Sequence, residues 1–182
     1  MTEPARAPSD AHAAVVVRLA QPEDFDAVSA VNRAAYAEYA AFMEPERIAR
    51  YLDNAGDVRS RQEVSDLLVA ELDGKIVGSL TYYTPGPRSE AQRWPAEWAG
   101  LRLLAVAPSA RGLGIGRLLM EASMERARSE GAPVIALHTT EMMEIARNMY
   151  ERMGFVRVPE YDWVPSSGRG AMAYKFNLQP AD

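Results

Sequence analysis

The sequence predicts one α/β domain. Three observations carry this. Apolar, β-branched runs alternate with stretches of helical period along most of the 182 residues. An Asp73-Gly74 pair separates two apolar runs, 67–72 and 75–83. Asp-Gly accepts the positive φ angles of a tight hairpin, which argues against a purely parallel, doubly wound sheet. No internal repeat and no linker-like stretch divides the chain, and its length suits a single domain with a substantial core.

The elements follow in order. Residues 1–14 are polar and Ala/Pro-rich and predict a disordered tail. Residues 15–19 form a β-branched run, the first strand. Pro22, Glu23 and Asp24 then start a helix: proline suits the first turn, and acids suit the positive end of the helix dipole. Phe25, Val28, Ala35 and Tyr36 fit its buried face. A second, short helix begins near Pro45 with Ile48, Tyr51 and Leu52. Residues 54–62 are polar and read as a loop. The hairpin comes next, then a Pro/Gly loop over 84–95 and a strand over 98–106. A helix spans 116–130, with Leu118, Leu119 and Ala122 on one face and Gly131 as its stop. Residues 133–139 return to strand. Met142, Ile145, Met149, Tyr150 and Met153 fall at helical spacing, with Thr140 as a cap and Gly154 as a stop. Strands over 155–158 and 170–178 finish the domain, separated by a Pro/Ser/Gly loop.

Composition excludes several functions. A net charge of -5 gives no global basic field for nucleic acid. With no cysteine there is no disulfide, thiolate ligand or cysteine nucleophile. Two histidines, His12 and His138, lie too far apart in sequence to suggest a zinc site. No apolar run has the flanks of a secretory signal or the length of a membrane span, so a cytoplasmic protein without membrane partners is expected.

One junction stands out: "AVAPSARGLGIGRLL", residues 105–119. A strand-like run stops at Pro108, three alternating glycines follow between Arg111 and Arg117, and a helix begins. The first N–H groups of a helix lack internal partners, and the dipole favours an anion there. Glycines let that backbone approach phosphate oxygens without a Cβ in the way. Three phosphate motifs compete. A P-loop needs Gly-Lys-Ser/Thr, but the loop ends Gly116-Arg117-Leu118. A dinucleotide fingerprint spaces its last two glycines three apart and expects an acid after the next strand, which here ends His138-Thr139-Thr140. The run Arg111-Gly112-Leu113-Gly114-Ile115-Gly116 fits the third, a coenzyme A pyrophosphate loop written Arg/Gln-x-x-Gly-x-Gly/Ala, at every fixed position.

At this point the chain resembles the GNAT superfamily of acyl-CoA-dependent N-acyltransferases. "LLAVAPSARGLGIGRLL" is similar to that family's central motif. "ARNMYERMGFVRV" is similar to its C-terminal motif, in which a tyrosine precedes Gly-Phe by four residues. The two occur in the family's order, with a strand between them, and the resemblance extends over 15–178. It implies a single acetyltransferase domain over 15–180. It also implies a mixed, mostly antiparallel sheet flanked by helices, splayed open between strands four and five (98–106 and 133–139). Acetyl-CoA is the implied co-substrate, its pantetheine arm in that gap. Main-chain groups of Leu104, Ala105 and Val106 would face the arm. Arg111 and the N–H groups of Gly112, Leu113, Gly114, Ile115, Gly116 and Arg117 would hold the pyrophosphate. Ala146 matches a helix alanine beside the coenzyme, while Met143 stands where an asparagine is common. A homodimer is a further expectation from the family.

The implied activity is transfer of an acetyl group from acetyl-CoA directly to a primary amine of a small molecule or peptide. Such transfer needs a neutral amine, a polarised carbonyl and a protonated leaving thiolate. A main-chain N–H near 104–106 serves the second need in this family. Tyr150 is the candidate for the third, although its helical period also makes it a core aromatic. For the first, the family's usual strand glutamate falls at about Gly100. Glu97, His138 or a water chain would have to stand in. The missing glutamate also motivates an alternative, a non-catalytic acyl-CoA-binding sensor of the same fold. Trp94, Trp98, Tyr36, Tyr39, Tyr161 and Trp163 fall in segments that would shape the acceptor pocket. Glu90, Glu97, Asp162 and Glu160 would suit a cationic acceptor.

Overall fold

A computed structural model of the chain describes residues 14–86, 94–163 and 170–179. The tail over 1–13 with His12, the loop residue Glu90 and the chain end therefore lie outside the described residues. Seven strands form one sheet: β1 (Val16–Leu19), β2 (Asp66–Leu72), β3 (Lys75–Tyr83), β4 (Ala99–Val106), β5 (Val134–Thr139), β6 (Val156–Arg157) and β7 (Met172–Asn177). Their order is β1-β2-β3-β4-β5-β7-β6. Every neighbouring pair is antiparallel except β4 and β5, which run parallel. This is the mixed, mostly antiparallel sheet that the hairpin and the resemblance imply. Asp73 (φ 51°) and Gly74 (φ 73°) both take the left-handed conformation that a two-residue hairpin turn requires.

Helices cover both faces. On one side lie α1 (Phe25–Tyr36), α2 (Pro45–Gly56) and the short α3 (Val58–Gln62). Val31, Ala35 and Tyr36 of α1 pack with Ala55 of α2 against Ala105 of β4. On the other side α4 (Ile115–Ser129) buries Ile115, Leu119 and Met120 almost completely, and α5 (Glu144–Arg152) adds Tyr150 to that core. The position of α4 depends on Gly78 of β3. A Cβ there would stand 2.8 Å from Ile115 Cγ2 and 3.1 Å from Leu119 Cδ1, so only glycine lets the start of α4 sit this close to the sheet.

Two expectations are corrected. Residues 54–62 are not a loop: they close α2 and form α3. Asp57 caps the latter by accepting the Ser60 N–H at 3.4 Å, while Ala55 and Val58 are buried. A polar composition hid two anchoring apolar side chains one turn apart. Thr140 does not cap α5. Met143 holds the cap position, and Thr140 O instead accepts the Met143 N–H at 3.1 Å in the turn before the helix.

The entry to α1 matches its sequence signals. Pro22–Asp24 form a 3₁₀ turn ahead of the helix. Buried Asp24 accepts the Gln21 N–H at 2.7 Å and both guanidinium nitrogens of Arg18, at 2.6 and 3.0 Å. Those bonds hold its carboxyl below the usual carboxylate range. Asp24→Ala removes a cap and leaves Arg18 with Glu71 and the Leu19 carbonyl. It is expected to lower the free energy of unfolding by about 2 kcal/mol in a urea titration.

Candidate active site

The sheet opens where its one parallel pair sits. β4 and β5 are in register only at Ala99–Ile135, Gly100–Ala136 and Leu101–Leu137, and from Arg102 onward β4 has no strand partner on that side among the described residues. A bulge in β4 accompanies the opening. Ser79 of β3 pairs with Ala105 and Thr81 with Arg102, so Leu80 faces two residues, and Leu103 adopts φ 53°. Bulges bend a strand and re-aim its groups. Beyond the bulge the Ala107 N–H bonds Val77 O at 2.8 Å, so alternate residues turn their main chain toward β3. Ala105 shares that parity, and its carbonyl lies on the β3 side, 3.2 Å from where a Gly78 Cβ would stand. The main-chain groups of Leu104 and Val106 turn toward the opening instead. Of the three expected strand residues, Leu104 lines the gap, and Ala105 and Val106 do not.

The gap is a cavity of about 1120 Å³ at the carboxyl ends of the parallel strands. Ligands in sheets with parallel strands collect at such ends, where neighbouring strands diverge. Leu104, Ala146 and Tyr150 line it, as do His138, Thr139 and Thr140 at the end of β5.

The glycine loop lies beside this gap. Gly112 (φ 82°) and Gly114 (φ 75°) both take the left-handed conformation, and Gly114 holds the cap position of α4. A Cβ on either would meet nothing within 4 Å, so the protein's own packing does not demand the missing side chains. Their conformation does, at about 1–2 kcal/mol for a residue other than glycine. Gly116 differs: a Cβ there would make only ordinary contacts, 3.6 Å from Met149 Sδ and 3.8 Å from Val106 Cγ2. The first intrahelical bond runs from the Leu118 N–H to Gly114 O at 3.0 Å, so the amides of Ile115, Gly116 and Arg117 have no intrahelical acceptor. Leu113 projects outward and Ile115 anchors the helix start in the core. Arg111 is held by Glu38 at 2.7 and 3.1 Å, and Arg117 by Glu121 at 2.7 Å.

Tyr150 is at once a core residue and a cleft residue. It is 6% exposed, packs its ring 6.0 Å from Phe155 and lines the cavity. Its hydroxyl has no protein hydrogen bond among the described residues. Burial pushes its pKa far above the ordinary tyrosine value. Three more tyrosines line the same cleft. Tyr36 is buried and donates its hydroxyl to Leu104 O at 2.9 Å, fixing the strand just past the bulge. Burial raises the pKa of Tyr36 and Tyr51 strongly, and that of Tyr39 to about 12. A phenol is neutral when protonated, so raised folded-state values mean that the unfolded chain ionises first. The stability these groups contribute is complete below about pH 10, the unfolded value, and is lost as the pH rises toward the folded values. Urea midpoints should therefore be flat across pH 8–9.5 and fall from pH 10 upward, ahead of tyrosinate absorbance in the native protein.

Other expected groups disperse. Glu97 is exposed on the turn before β4 and does not line the cleft. His138 does, stacked on Trp94 with centroids 4.4 Å apart. Its Nε2 lies 2.8 Å from Tyr161 O, and because a carbonyl only accepts, that nitrogen carries the proton. The aromatics divide into two groups. Trp94, Trp98 and Tyr161 pack on one another at the β5–β7 side, and Tyr36, Tyr39 and Tyr51 gather under α1 and α2. Trp163 lies at the cleft edge, 44% exposed. The acids do not gather. Asp162 is tied to Arg157 at 2.7 and 2.8 Å, and Glu160 is on the surface.

The arrangement tests well against an acyl-CoA. Helix-start amides without intrahelical partners suit a pyrophosphate. The β4 edge past Leu101 offers main-chain groups to an extended chain. Thr139 Oγ1 and Thr140 Oγ1 are buried at the gap with no hydrogen-bond partner among the described residues. A sheet opened at its parallel pair, with a glycine-bounded helix start beside the opening, defines the class: an α/β domain fitted to hold an acyl-CoA.

Comparison with known proteins narrows the class. The model of the acetyltransferase (GNAT) family matches residues 29–155. Mycothiol acetyltransferase from Thermomonospora curvata is 32% identical over 150 residues, 79% of this chain and 44% of that protein. The N-acetyltransferase camello of Xenopus tropicalis is 34% identical over 87 residues, 48% of this chain and 36% of that protein. The chain spans less than half the length of these curated relatives. Among solved structures, PaiA N-acetyltransferase from Thermoplasma acidophilum, in complex with coenzyme A, superposes with a TM-score of 0.69 at 17% identity, covering 90% of this chain and 99% of that one. A GNAT family acetyltransferase from Brucella melitensis in complex with acetyl-CoA gives a TM-score of 0.60 at 21% identity, over 94% and 92%. The chain belongs to the GNAT acetyltransferase family. Acetyl-CoA is the co-substrate that membership of this family supports.

Proposed function

We propose that the protein is an N-acetyltransferase that moves the acetyl group of acetyl-CoA directly to a primary amine of a small molecule or peptide, within a single domain over 15–180. The observation that carries this reading is the adjacency of two sites: the helix start at Gly114 beside the gap, and buried Tyr150 within the opening beside β4. Acetyl-CoA supplies an activated thioester carbonyl. Arg111 and the amides from Gly112 to Arg117 bind its pyrophosphate, with Leu113 and Ile115 contributing main chain only. Leu104 and Val106 hold the pantetheine arm along β4, and Ala146 leaves room for it on α5. A main-chain N–H beside the bulge polarises the carbonyl, and Tyr36 fixes that segment through Leu104 O. Tyr150, kept protonated by burial, delivers a proton to the departing sulfur. Glu97 serves as a base only through water, since it stands outside the cleft.

The alternative, a non-catalytic acyl-CoA-binding sensor, is favoured by one observation: β4 presents buried Gly100 where a carboxylate would be convenient. One experiment separates the two. Acetyl-CoA binding is measured by calorimetry, and thiol release from acetyl-CoA is followed across a panel of amines. Turnover dependent on an added amine supports the transferase. Tight binding with no turnover on any amine supports the sensor.

A further inference from the structure

The wall of the cleft formed by α2 carries an unbalanced charge. Arg47, Arg50, Tyr51 and Asn54 recur at the spacing of one helical face, and all four line the cavity. Arg102, next to the bulge of β4, lines it too. None of these three arginines forms an ion pair among the described residues. A fourth, Arg61, stands close enough to Arg102 for the two charges to repel. Its guanidinium caps the end of α2 through the carbonyls of Asn54 and Ala55, with the Asp57 carboxylate as its nearby counter-charge. Against them the cavity offers two acids. Asp162 is already neutralised by Arg157. Glu141 is exposed, beyond the end of β5. Gathering guanidinium groups at one cavity works against the compact state unless something anionic joins them.

We propose that the acceptor is an amine that also carries an oxyanion, a carboxylate or a phosphate, and that Arg47, Arg50 and Arg102 hold that group. The proposal rests on the N-acetyltransferase reading and adds the chemical class of the acceptor. Guanidinium forks match both oxyanions and bind them through charge-assisted hydrogen bonds. A polycationic amine would meet repulsion at the same wall. The positive field has a second effect: it favours the neutral form of an ammonium group brought into the cleft, the form that attacks. This lightens the task left by the absent strand carboxylate. In the reaction an N–C bond forms as the C–S bond breaks, one proton passes from the amine to the leaving sulfur, and the oxyanion remains on the amide product.

The test uses the full chain and three groups of probes: β-alanine and phosphoethanolamine as anionic amines, β-alaninamide as a neutral one, and 1,3-diaminopropane as a cationic one. Acceptor binding is measured by calorimetry in the presence of coenzyme A, and acetyl transfer by thiol release. The anionic amines should bind and be acetylated at least about tenfold better than the neutral probe, as expected for one or more charge-assisted contacts. The better of the two anions identifies the group. Arg50→Gln and Arg102→Gln should each weaken the anionic probes about tenfold. They should leave the affinity for acetyl-CoA unchanged, which shows that the variants are folded, and should affect binding of β-alaninamide far less than that of the anionic probes. Equal or better binding of the neutral or cationic probe by the wild-type chain overturns the proposal, as do arginine variants that keep the anionic preference. Binding of the anionic probes with this charge preference but no thiol release would sustain the anion site and sink the transferase reading instead.

Discussion

Gly114→Glu is expected to raise the dissociation constant for acetyl-CoA by at least about 100-fold while the chain stays folded. Two effects coincide at this position. The residue caps α4 at φ 75°, which a side chain resists by about 1–2 kcal/mol. A carboxylate there also stands among the free amides of Ile115, Gly116 and Arg117, where it competes for the donors a pyrophosphate needs and repels its charge. Gly114→Ala separates the two. It carries the backbone strain in free and bound states alike, so it should lower the melting temperature while changing the dissociation constant only a few-fold. The space around Gly114 is open, so neither substitution meets a clash that would confuse the outcome. Calorimetric titration of both variants gives the comparison. Binding by Gly114→Glu that matches the wild type would mean that the pyrophosphate lies elsewhere. Gly116 is the internal contrast: without a positive φ and with only ordinary contacts for a Cβ, Gly116→Ala should leave stability within about 0.5 kcal/mol of wild type.

What could be read from the sequence follows from how local each signal is. The hairpin was legible because Asp73-Gly74 determines its own geometry. The glycine loop was legible because a phosphate site built from backbone needs residues that are contiguous in sequence. The splay itself carries no local signal, since loss of pairing after Leu101 depends on how two distant strands diverge. It was reached only through resemblance. Gly78 was missed because its requirement comes from Ile115 and Leu119, nearly forty positions away. The basic wall was missed for the same reason. Arg47 and Arg50 read as solvated helix residues until α2 folds over β4 and Arg102 joins them. The bulge at Leu103 breaks the strict alternation that would have put Leu103 on the face opposite Arg102 and Leu104, so all three line the cavity, and no propensity argument anticipates a leucine at φ 53°. Glu97 shows the converse error. Being close in sequence to β4 put it near the strand, but the turn before Ala99 points it to solvent.

Tyr150→Phe is expected to lower kcat by about 100-fold or more and to leave the affinity for acetyl-CoA within a factor of about two. The ring supplies packing against Phe155 and the α4 core, and phenylalanine keeps it. The hydroxyl bonds to nothing in the protein among the described residues, so its loss should change the unfolding free energy by no more than about 0.5 kcal/mol. A hydroxyl that opens on the cleft without a partner among the described residues is available to a bound ligand, as the proposed proton-donor role requires. The raised pKa agrees in sign. Burial favours the neutral phenol, so Tyr150 stays protonated at any pH where the amine is active, and no loss of activity below pH 10 should trace to its ionisation. A thiol leaves with an ordinary pKa of about 8.5, so the donor is the weaker acid of the pair, and transfer succeeds only as the C–S bond breaks and negative charge builds on sulfur. Burial from water makes that timing favourable, because a thiolate in the cleft lacks the solvation it would have outside. The variant's defect should therefore shrink for thioesters whose thiols are stronger acids, since their thiolates depart without help. A defect of equal size across such a series would place Tyr150 among the packing residues and leave the proton to water.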